Sequence, residues 1–307
     1  MIHPCNFTEN MAIDETALSN GELYTLATNK SAHAKQGTIA VMTKGTNANE
    51  IIEHILRNST ENQRDRVKEI TMDFSETMHN IAQKCFPKAT ITIDLFHLIQ
   101  LCNNDMQDIR VRLKREATAQ DTKARKAWKK RLEKNASRRK TAKKDQRGRP
   151  PKRINAAYIP PKLSNGDTTI ELLTRSRYLL NYTYEDWSDR QKERAKLLFD
   201  MFPTMKTAYN LVMRIRKIFK NPKHTKDTAK IALQEWCNDA LNANIDEFVA
   251  TVQTIQARED EVLNYFVNHQ TNAYAESFNA KMKSFRALLH GVNDTQFFLY
   301  RLSSLFG

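Results

Sequence analysis

In the first hundred residues, short apolar runs of strand length alternate with stretches whose apolar positions fall at helical spacing. "NMAIDET", "ELYTLATNK" and "GTIAVMTKG" read as three strands, separated by the turn chemistry of "LSNG" and by a polar loop. "NANEIIEHILRNS" then places Ile51, Ile52, Ile55 and Leu56 at helical spacing, with Asn47 or Asn49 as a cap. "VKEITMDFS" reads as a strand ending in Asp73, and "ETMHNIAQKCF" as a helix closed by Pro87. In "KATITIDLFHLIQL" an alternating β-branched run, Thr90 to Ile93, ends in Asp94 and His97. The predicted order is β-β-β-α-β-α-β.

From about residue 105 the pattern turns helical. "NNDMQDIRVRLKREA" continues from the fifth strand into a basic run, and Pro150, Pro151, Pro160 and Pro161 mark a loop. "IELLTRSRYLLN" begins another helix, and two more follow from a capping box in which Ser188 caps and Gln191 answers. Their stripe of Leu197, Leu198, Phe202, Tyr209 and Leu211 reads as helical core. "TAKIALQEWCNDAL" and "IDEFVATVQTIQAREDEVLNYFV" add amphipathic pattern, and no internal repeat is visible. The last segment reads as a helix capped by Thr271 or Asn272, running to about His290 and stopped by Gly291. On it Glu276, Asn279 and Lys283 share a polar face, while Tyr274, Phe278, Met282 and Phe285 form the apolar face expected to dock on the sheet.

This order predicts an α/β fold of ribonuclease-H-like kind: a mixed sheet with a large all-helical insertion before the last helix. In such a sheet the first and fourth strands are neighbours, so Asp14, ending the first, and Asp73, ending the fourth, would face each other. Two carboxylates so placed repel and raise a pKa unless a divalent cation sits between them. A paired-metal site suits phosphodiester chemistry, one ion activating the attacking oxygen and the other stabilising the leaving one. Glu276 is the candidate third acid. Each acid taken singly also fits a solvated strand end or helix face.

Charge adds a partner. The chain of 307 residues has a formal net charge of +14, from 49 Lys and Arg against 35 Asp and Glu. Twenty of the basic residues and four of the acids fall between Arg110 and Arg153, leaving 29 and 31 elsewhere. The excess is therefore one segment, and a block of this kind attracts polyanions with an affinity that falls steeply as salt rises. Lys129, Lys130, Arg131, Arg138, Arg139, Lys140, Lys143 and Lys144, with Lys283 on the last helix, are the candidate DNA contacts. Trp128 among them reads as a packing residue. No apolar run approaches the ~20 residues of a membrane span, and the first residues do not read as a signal peptide. Four dispersed cysteines argue against a zinc ribbon or disulfide framework and for a reducing cytosol, and seven scattered glycines offer no nucleotide-binding loop.

The blocks "MAIDETALSNGELYTLATNK", "VKEITMDFSETMHNIAQKCFPKATITIDLFH", "LLTRSRYLLN" and "TNAYAESFNAKMKSFRALLHGV", in this order, resemble DDE insertion-sequence transposases of the ISL-three group, and within it the ISAon-one branch. The resemblance covers nearly the whole chain. It implies metal-dependent DNA strand cleavage and strand transfer with two divalent ions, magnesium or manganese, held by Asp14, Asp73 and Glu276. It implies a ribonuclease-H-like core over 1–104, a basic and helical insertion over 105–268 and C-terminal helices over 269–307 that complete the core. Asp94-x-x-His97 resembles a motif that related transposases carry after the fifth strand. With Asn279, these two residues are expected to organise the site around the metal ligands, Asp73 being preferred to Asp94 as the second acid. DNA, both element ends and target, is the expected partner, and the bacterial nucleoid-associated cytoplasm the expected location. Full-length relatives begin with an end-reading region, so a separate N-terminal DNA-recognition polypeptide is expected, with self-association as a further expectation. The rivals are a nuclease of the same fold that does not join, a decayed transposase that only binds DNA, and a basic RNA-binding helical protein.

Overall fold

The three N-terminal strands, β1 (Asn10–Ala17), β2 (Leu23–Asn29) and β3 (Ile39–Lys44), form an antiparallel meander. Two helices follow, α1 (Ala48–Asn58) and the short α2 (Glu61–Arg64). The chain then returns as β4 (Glu69–Met72), parallel to β1, passes through α3 (Glu76–Cys85) and enters β5 (Thr90–Ile93), parallel to β4. The result is one mixed sheet of five strands in the order β3-β2-β1-β4-β5. The structure, a computed structural model, describes residues 1–18, 21–145, 157–269, 271–288 and 294–307, and the side chains of 140–145 and 268 lie outside that description.

Local chemistry accounts for the element boundaries. Asn47 accepts the Asn49 N–H at the start of α1, and Ser75 accepts the Met78 N–H at the start of α3. Ile51, Ile52 and Ile55 of α1 are buried, whereas Leu56 points to solvent. Along the strands, Met11, Ile13, Ile70, Met72 and Ile93 alternate with Ala12, Asp14, Thr71, Thr92 and Asp94. One face of the sheet is thus aliphatic and the other carries the polar chemistry.

Helix α4 (Leu95–Asp145) leaves β5 directly and is 51 residues long. After it come α5 (Thr169–Arg175), α6 (Asp189–Met201), α7 (Pro203–Lys220), α8 (Lys226–Asn242), α9 (Asp246–Ala257), α10 (Glu259–Leu263), α11 (Tyr265–Asn268), α12 (Ala273–Leu288) and α13 (Thr295–Phe306). The amphipathic stretch after Ile245 is thus three helices, divided at Arg258 and Asn264. Packing divides the chain into two units. The first comprises Met1–Cys102, Arg214–Asn244 and Phe248–Gly307, the second Asn103–Met213 and Ile245–Glu247.

In the first unit, Phe278 and Met282 of α12 and Phe298, Leu302 and Phe306 of α13 share one core with Tyr24, Leu26, Ile39 and Met42. Leu26 pairs with Asp14, so α12 lies over the polar face of the sheet. Tyr274, expected in this apolar face, is 48% exposed and sets its ring edge against His33. The helix stop at His290 and Gly291 lies outside the described residues, as do Ser19 and Asn20 of the "LSNG" turn. In the second unit, Leu172, Leu173, Leu180, Leu198, Met205 and Val212 are buried, and Ser188 and Gln191 form the expected capping box. Leu198, Tyr209 and Leu211 are buried, with Leu197 and Phe202 half-buried beside them. No helix among the described residues is long and apolar enough to cross a membrane.

Candidate functional site

The parallel register Ala12↔Thr71, carried two residues on, sets Asp14 level with Asp73. Asp14 does not end its strand, as the short apolar run suggested. β1 continues to Ala17 because its antiparallel pairing with β2 runs on to Ala17↔Leu23, whereas its pairing with β4 stops at Ala12. That difference leaves the β4-facing edge of β1 open where Asp14 stands. Asp73 follows the last residue of β4 and accepts the Ser75 N–H at 2.7 Å, tying it to the start of α3. The adjacent Glu15 N–H bonds the Asp14 carboxylate at 2.8 Å, and Asn279 Nδ2 donates to its other oxygen at 2.6 Å.

Glu276 enters from above on α12, one turn before Asn279. The helix start is fixed by Asn272, whose C=O accepts the Glu276 N–H at 2.9 Å and whose own N–H donates to Asp94 Oδ1 at 3.2 Å. Asp94 is 1% exposed and also faces His97 Nδ1 at 3.1 Å. One carboxylate at the start of α4 therefore anchors both the His97 ring and the helix that carries Glu276. The sequence shows the Asp94 and His97 spacing, but the bond to Asn272, 178 residues away, is a product of the fold.

Charge reflects the proximity of these groups. Burial pushes the Asp14 carboxyl up, helped by the Asp73 charge and opposed by the Glu15 N–H, His97 and Asn279. Burial also raises Glu276, with the Asp94 and Asp14 charges adding to it and His97 opposing. Glu15, beside Asp14, is raised by burial and then by Asp73 and Asp14. His97 is raised by its hydrogen bond to Asp94 and by the charges of Asp94, Asp73 and Asp14, against the effect of burial. Asp14, Asp73, Asp94, His97, Glu276 and Asn279 thus share one electrostatic environment in which carboxylates repel and a cation is favoured. Among the described residues, no group of three or more His, Cys, Asp or Glu is placed so that it could hold a metal ion. The donors present are carboxylate and amide oxygens, the hard ligands that Mg2+ accepts, and that ion commonly takes one or two carboxylates together with substrate phosphate rather than an all-protein cage. Asn279, 8% exposed, keeps its Oδ1 without a protein partner next to Asp14.

The basic residues are sorted by the structure. Lys129, Lys130, Arg131 and Arg138 are exposed on α4, Arg139 is half-buried, and Lys283 is exposed on α12. The side chains of Lys140, Lys143 and Lys144 lie outside the described residues, as does the run from 146 to 153. Nearer the start of α4, Lys114, Arg115, Lys123 and Lys126 line a shallow groove of about 690 Å³ that residue pattern alone does not single out. Other cations are committed within the second unit: Arg110 donates to the Leu173 carbonyl, Arg112 pairs with Glu247, and Arg125 lies over the Tyr158 ring. Trp128 is half-buried against Tyr158, with ring centroids 6.1 Å apart, in keeping with a packing role. The thiols of Cys85 and Cys237 are chemically quiet, since burial pushes them up to about 12 and about 11.

Comparison with known proteins adds one finding. The family model for the DDE transposases of the ISL-three group, described as "Transposase", matches residues 11–302. No curated protein and no solved structure matches the chain.

Proposed function

The chain belongs to the DDE transposases of the ISL-three group, and we propose that it cleaves the DNA strands at the ends of an insertion sequence and joins them to a target. The observation that supports this reading is that the Asp14 carboxyl, at the polar edge of the mixed sheet, is raised in part by the Asp73 charge and itself helps to raise Glu276, three acids from elements far apart in sequence. The strand order supports a ribonuclease-H-like core, and the basic and helical segment over 105–268, most of α4 included, would be its insertion.

In this reading Asp14, Asp73 and Glu276 would hold two divalent cations, Mg2+ or Mn2+. When bound, such ions polarise the scissile phosphate and favour the ionised attacking oxygen. The chain's own residues do the rest. Asn279 fixes the Asp14 carboxylate through its Nδ2. Asp94 is fully engaged by Asn272 and His97, which supports Asp73 as the second acid and gives Asp94 a positioning role. His97, whose pKa the Asp94 hydrogen bond raises, would offer a positive group near the phosphate when protonated. In the first step water attacks the phosphodiester and releases a 3′-hydroxyl; in the second that hydroxyl attacks a target phosphodiester and displaces its 3′-oxygen.

The exposed cations of α4 supply contacts to DNA phosphates, which give affinity without sequence information. Recognition of the element's ends would need contacts other than these, which a separate DNA-recognition polypeptide could supply, and pairing of two ends would need more than one copy of the chain. In this reading the protein would act in the cytoplasm, with the nucleoid. The test uses labelled terminal DNA with Mg2+, with Mn2+ and with chelator. Metal-dependent nicking at the end followed by a joined product supports the reading. Nicking without joining would make the protein a nuclease of the same fold, and binding without nicking a DNA-binding protein.

A further inference from the structure

Helices α4 and α12 start at one point, although 178 residues separate the two that begin them. At the start of α4 the Asp94 C=O accepts the Leu98 N–H at 3.3 Å. At the start of α12 the Asn272 C=O accepts the Glu276 N–H, and the Asn272 N–H donates to the Asp94 side chain at 3.2 Å. The second residue of each helix is an aromatic left in water: Phe96 is 55% exposed and Tyr274 48%. Each ring stands steeply across an imidazole. Phe96 and His97 have centroids 5.7 Å apart at 85°, and Tyr274 and His33 4.7 Å apart at 71°. His33 and Ala34 hold positive φ angles of 49° and 59°, and Lys281 of α12 bonds the Ala34 carbonyl at 2.9 Å. All of these residues belong to the first unit.

A single exposed aromatic needs no explanation. Here two occupy the same position in two helices whose starts are bonded to each other, and each ring plane is set by an imidazole. His33 is fixed in turn, since a non-glycine residue at positive φ persists only where its surroundings over-determine it. Phe96 stands two residues after Asp94 and Tyr274 two before Glu276, so both rings sit beside the candidate acids. Chemistry selects what they would meet. A phosphate is repelled by those carboxylates and gains little from a neutral ring. A nucleobase is uncharged, presents a flat π-face and is carried on the same strand as the phosphate. Bases inside a duplex have both faces covered by their neighbours, so only an unpaired or terminal base is free to stack.

We propose that Phe96 and Tyr274 are base-stacking residues of the site: they take unpaired bases beside the phosphodiester to be cut, and so select a locally opened DNA end over an intact duplex. Stacking of this kind tolerates any sequence, because every base has a π-face. The Asp94–Asn272 bond ties the two rings to each other and to the helix turn that carries Glu276. The part concerning cleavage rests on the function proposed above; the preference for opened DNA does not.

The experiment uses the full chain as wild type, Phe96→Ala, Phe96→Leu, Phe96→Trp and Tyr274→Ala. The probe is terminal DNA of the element, either fully paired or opened to a fork over its last few base pairs, with 2-aminopurine in the opened strand. An uncharged methylphosphonate replaces the scissile phosphate, so that the acids do not repel it and binding is read without metal. Cutting of the ordinary phosphodiester with Mg2+ is followed in parallel. Wild type should bind the fork more tightly than the paired duplex and quench the 2-aminopurine. Phe96→Ala and Tyr274→Ala should each weaken fork binding about five- to a hundred-fold, leaving paired-duplex binding and Tm unchanged. Phe96→Trp should keep the fork preference, and Phe96→Leu, which retains apolar bulk without a π-face, should lose it. No fork preference in the wild type, equal losses on fork and duplex, or full rescue by Phe96→Leu would overturn the proposal. A changed oligomeric state with fork binding intact would overturn it too, and make the rings a contact between copies. If the wild type cuts no DNA while the Ala variants lose the fork preference, the cleavage reading fails and the assignment of the rings stands.

Discussion

Replacing Asp94 by Asn tests the anchor on which the site geometry depends. The carboxylate is 1% exposed and accepts from the Asn272 N–H at 3.2 Å, with His97 Nδ1 at 3.1 Å. A hydrogen bond to a charged group contributes about 1.5–3 kcal/mol and a neutral one about 0.5–1.5 kcal/mol, so each bond loses about 1 kcal/mol when the charge goes. The Asn272 bond survives through the amide oxygen at any pH, and its loss is constant. The His97 share depends on the imidazole being charged. His97 has a raised pKa in the folded protein, so the stability it contributes is fully present below the ordinary histidine value of about 6.5 and is lost as pH rises through the raised value. Relief of Glu276, which the Asp94 charge pushes up, offsets part of the total. Asp94→Asn should therefore cost about 2 kcal/mol at pH 5.5 and about 1 kcal/mol at pH 9. At about 2 °C per kcal/mol for a chain of this size, the fall in apparent Tm is about 4 °C and about 2 °C. Scanning calorimetry of metal-free protein at both pH values reads this directly, with His97→Gln as the partner variant. An equal loss at both pH values, or a larger one at pH 9, would refute the charged Asp94–His97 pair.

Three further outcomes are expected. Asp14→Asn, Asp73→Asn and Glu276→Gln should each abolish cleavage. The raised carboxyls of Asp14 and Glu276 contribute stability below the ordinary carboxylate range and lose it as pH rises, so at neutral pH their removal should hold or raise the Tm without metal and shrink the rise that Mn2+ gives the wild type. Normal cutting by Asp73→Asn beside a dead Asp94→Asn would reverse the choice of second acid. Neutralising Lys129, Lys130 and Arg131 together should weaken binding to all duplexes alike and reduce the log–log salt slope by about 0.9 for each phosphate no longer neutralised; an unchanged slope in a salt titration would make this a solvated face. Phe278→Ala, in the fully buried cluster beside Phe306, should cost about 3–5 kcal/mol in urea unfolding, and a loss below about 1 kcal/mol would mean that α12 is not docked there.

The amino-acid sequence determined most of what is local in this protein. Strand and helix order follows from the change between two-residue and helical period. The caps at Asn47, Ser75 and Ser188 are contacts within a few residues, and Asp14, Asp73 and Asp94 stand out as charges at or beside strand ends, whereas Glu276 by itself reads as an ordinary helix-surface acid. Legible too was the segregation of charge into one segment, since a count needs no coordinates. What only the tertiary structure decided were the long-range partners. Asp14 looked like the end of a strand because hydrophobic pattern stops there, but backbone pairing with β2 extends the strand and leaves the acid at an open edge. Tyr274 fits an apolar stripe by spacing, yet the packing of α12 turns it outward. Lys30 carries no sequence signal, since a lysine after a strand is an ordinary choice, and Asn272 carries only that of a helix cap. Their meaning comes from strand register and helix docking, which bring Thr71 to the one and Asp94 to the other across 41 and 178 residues of chain. Pattern within a short window fixes which backbone hydrogen bonds form locally, whereas the partner of a buried charge depends on which distant segments exclude water from it.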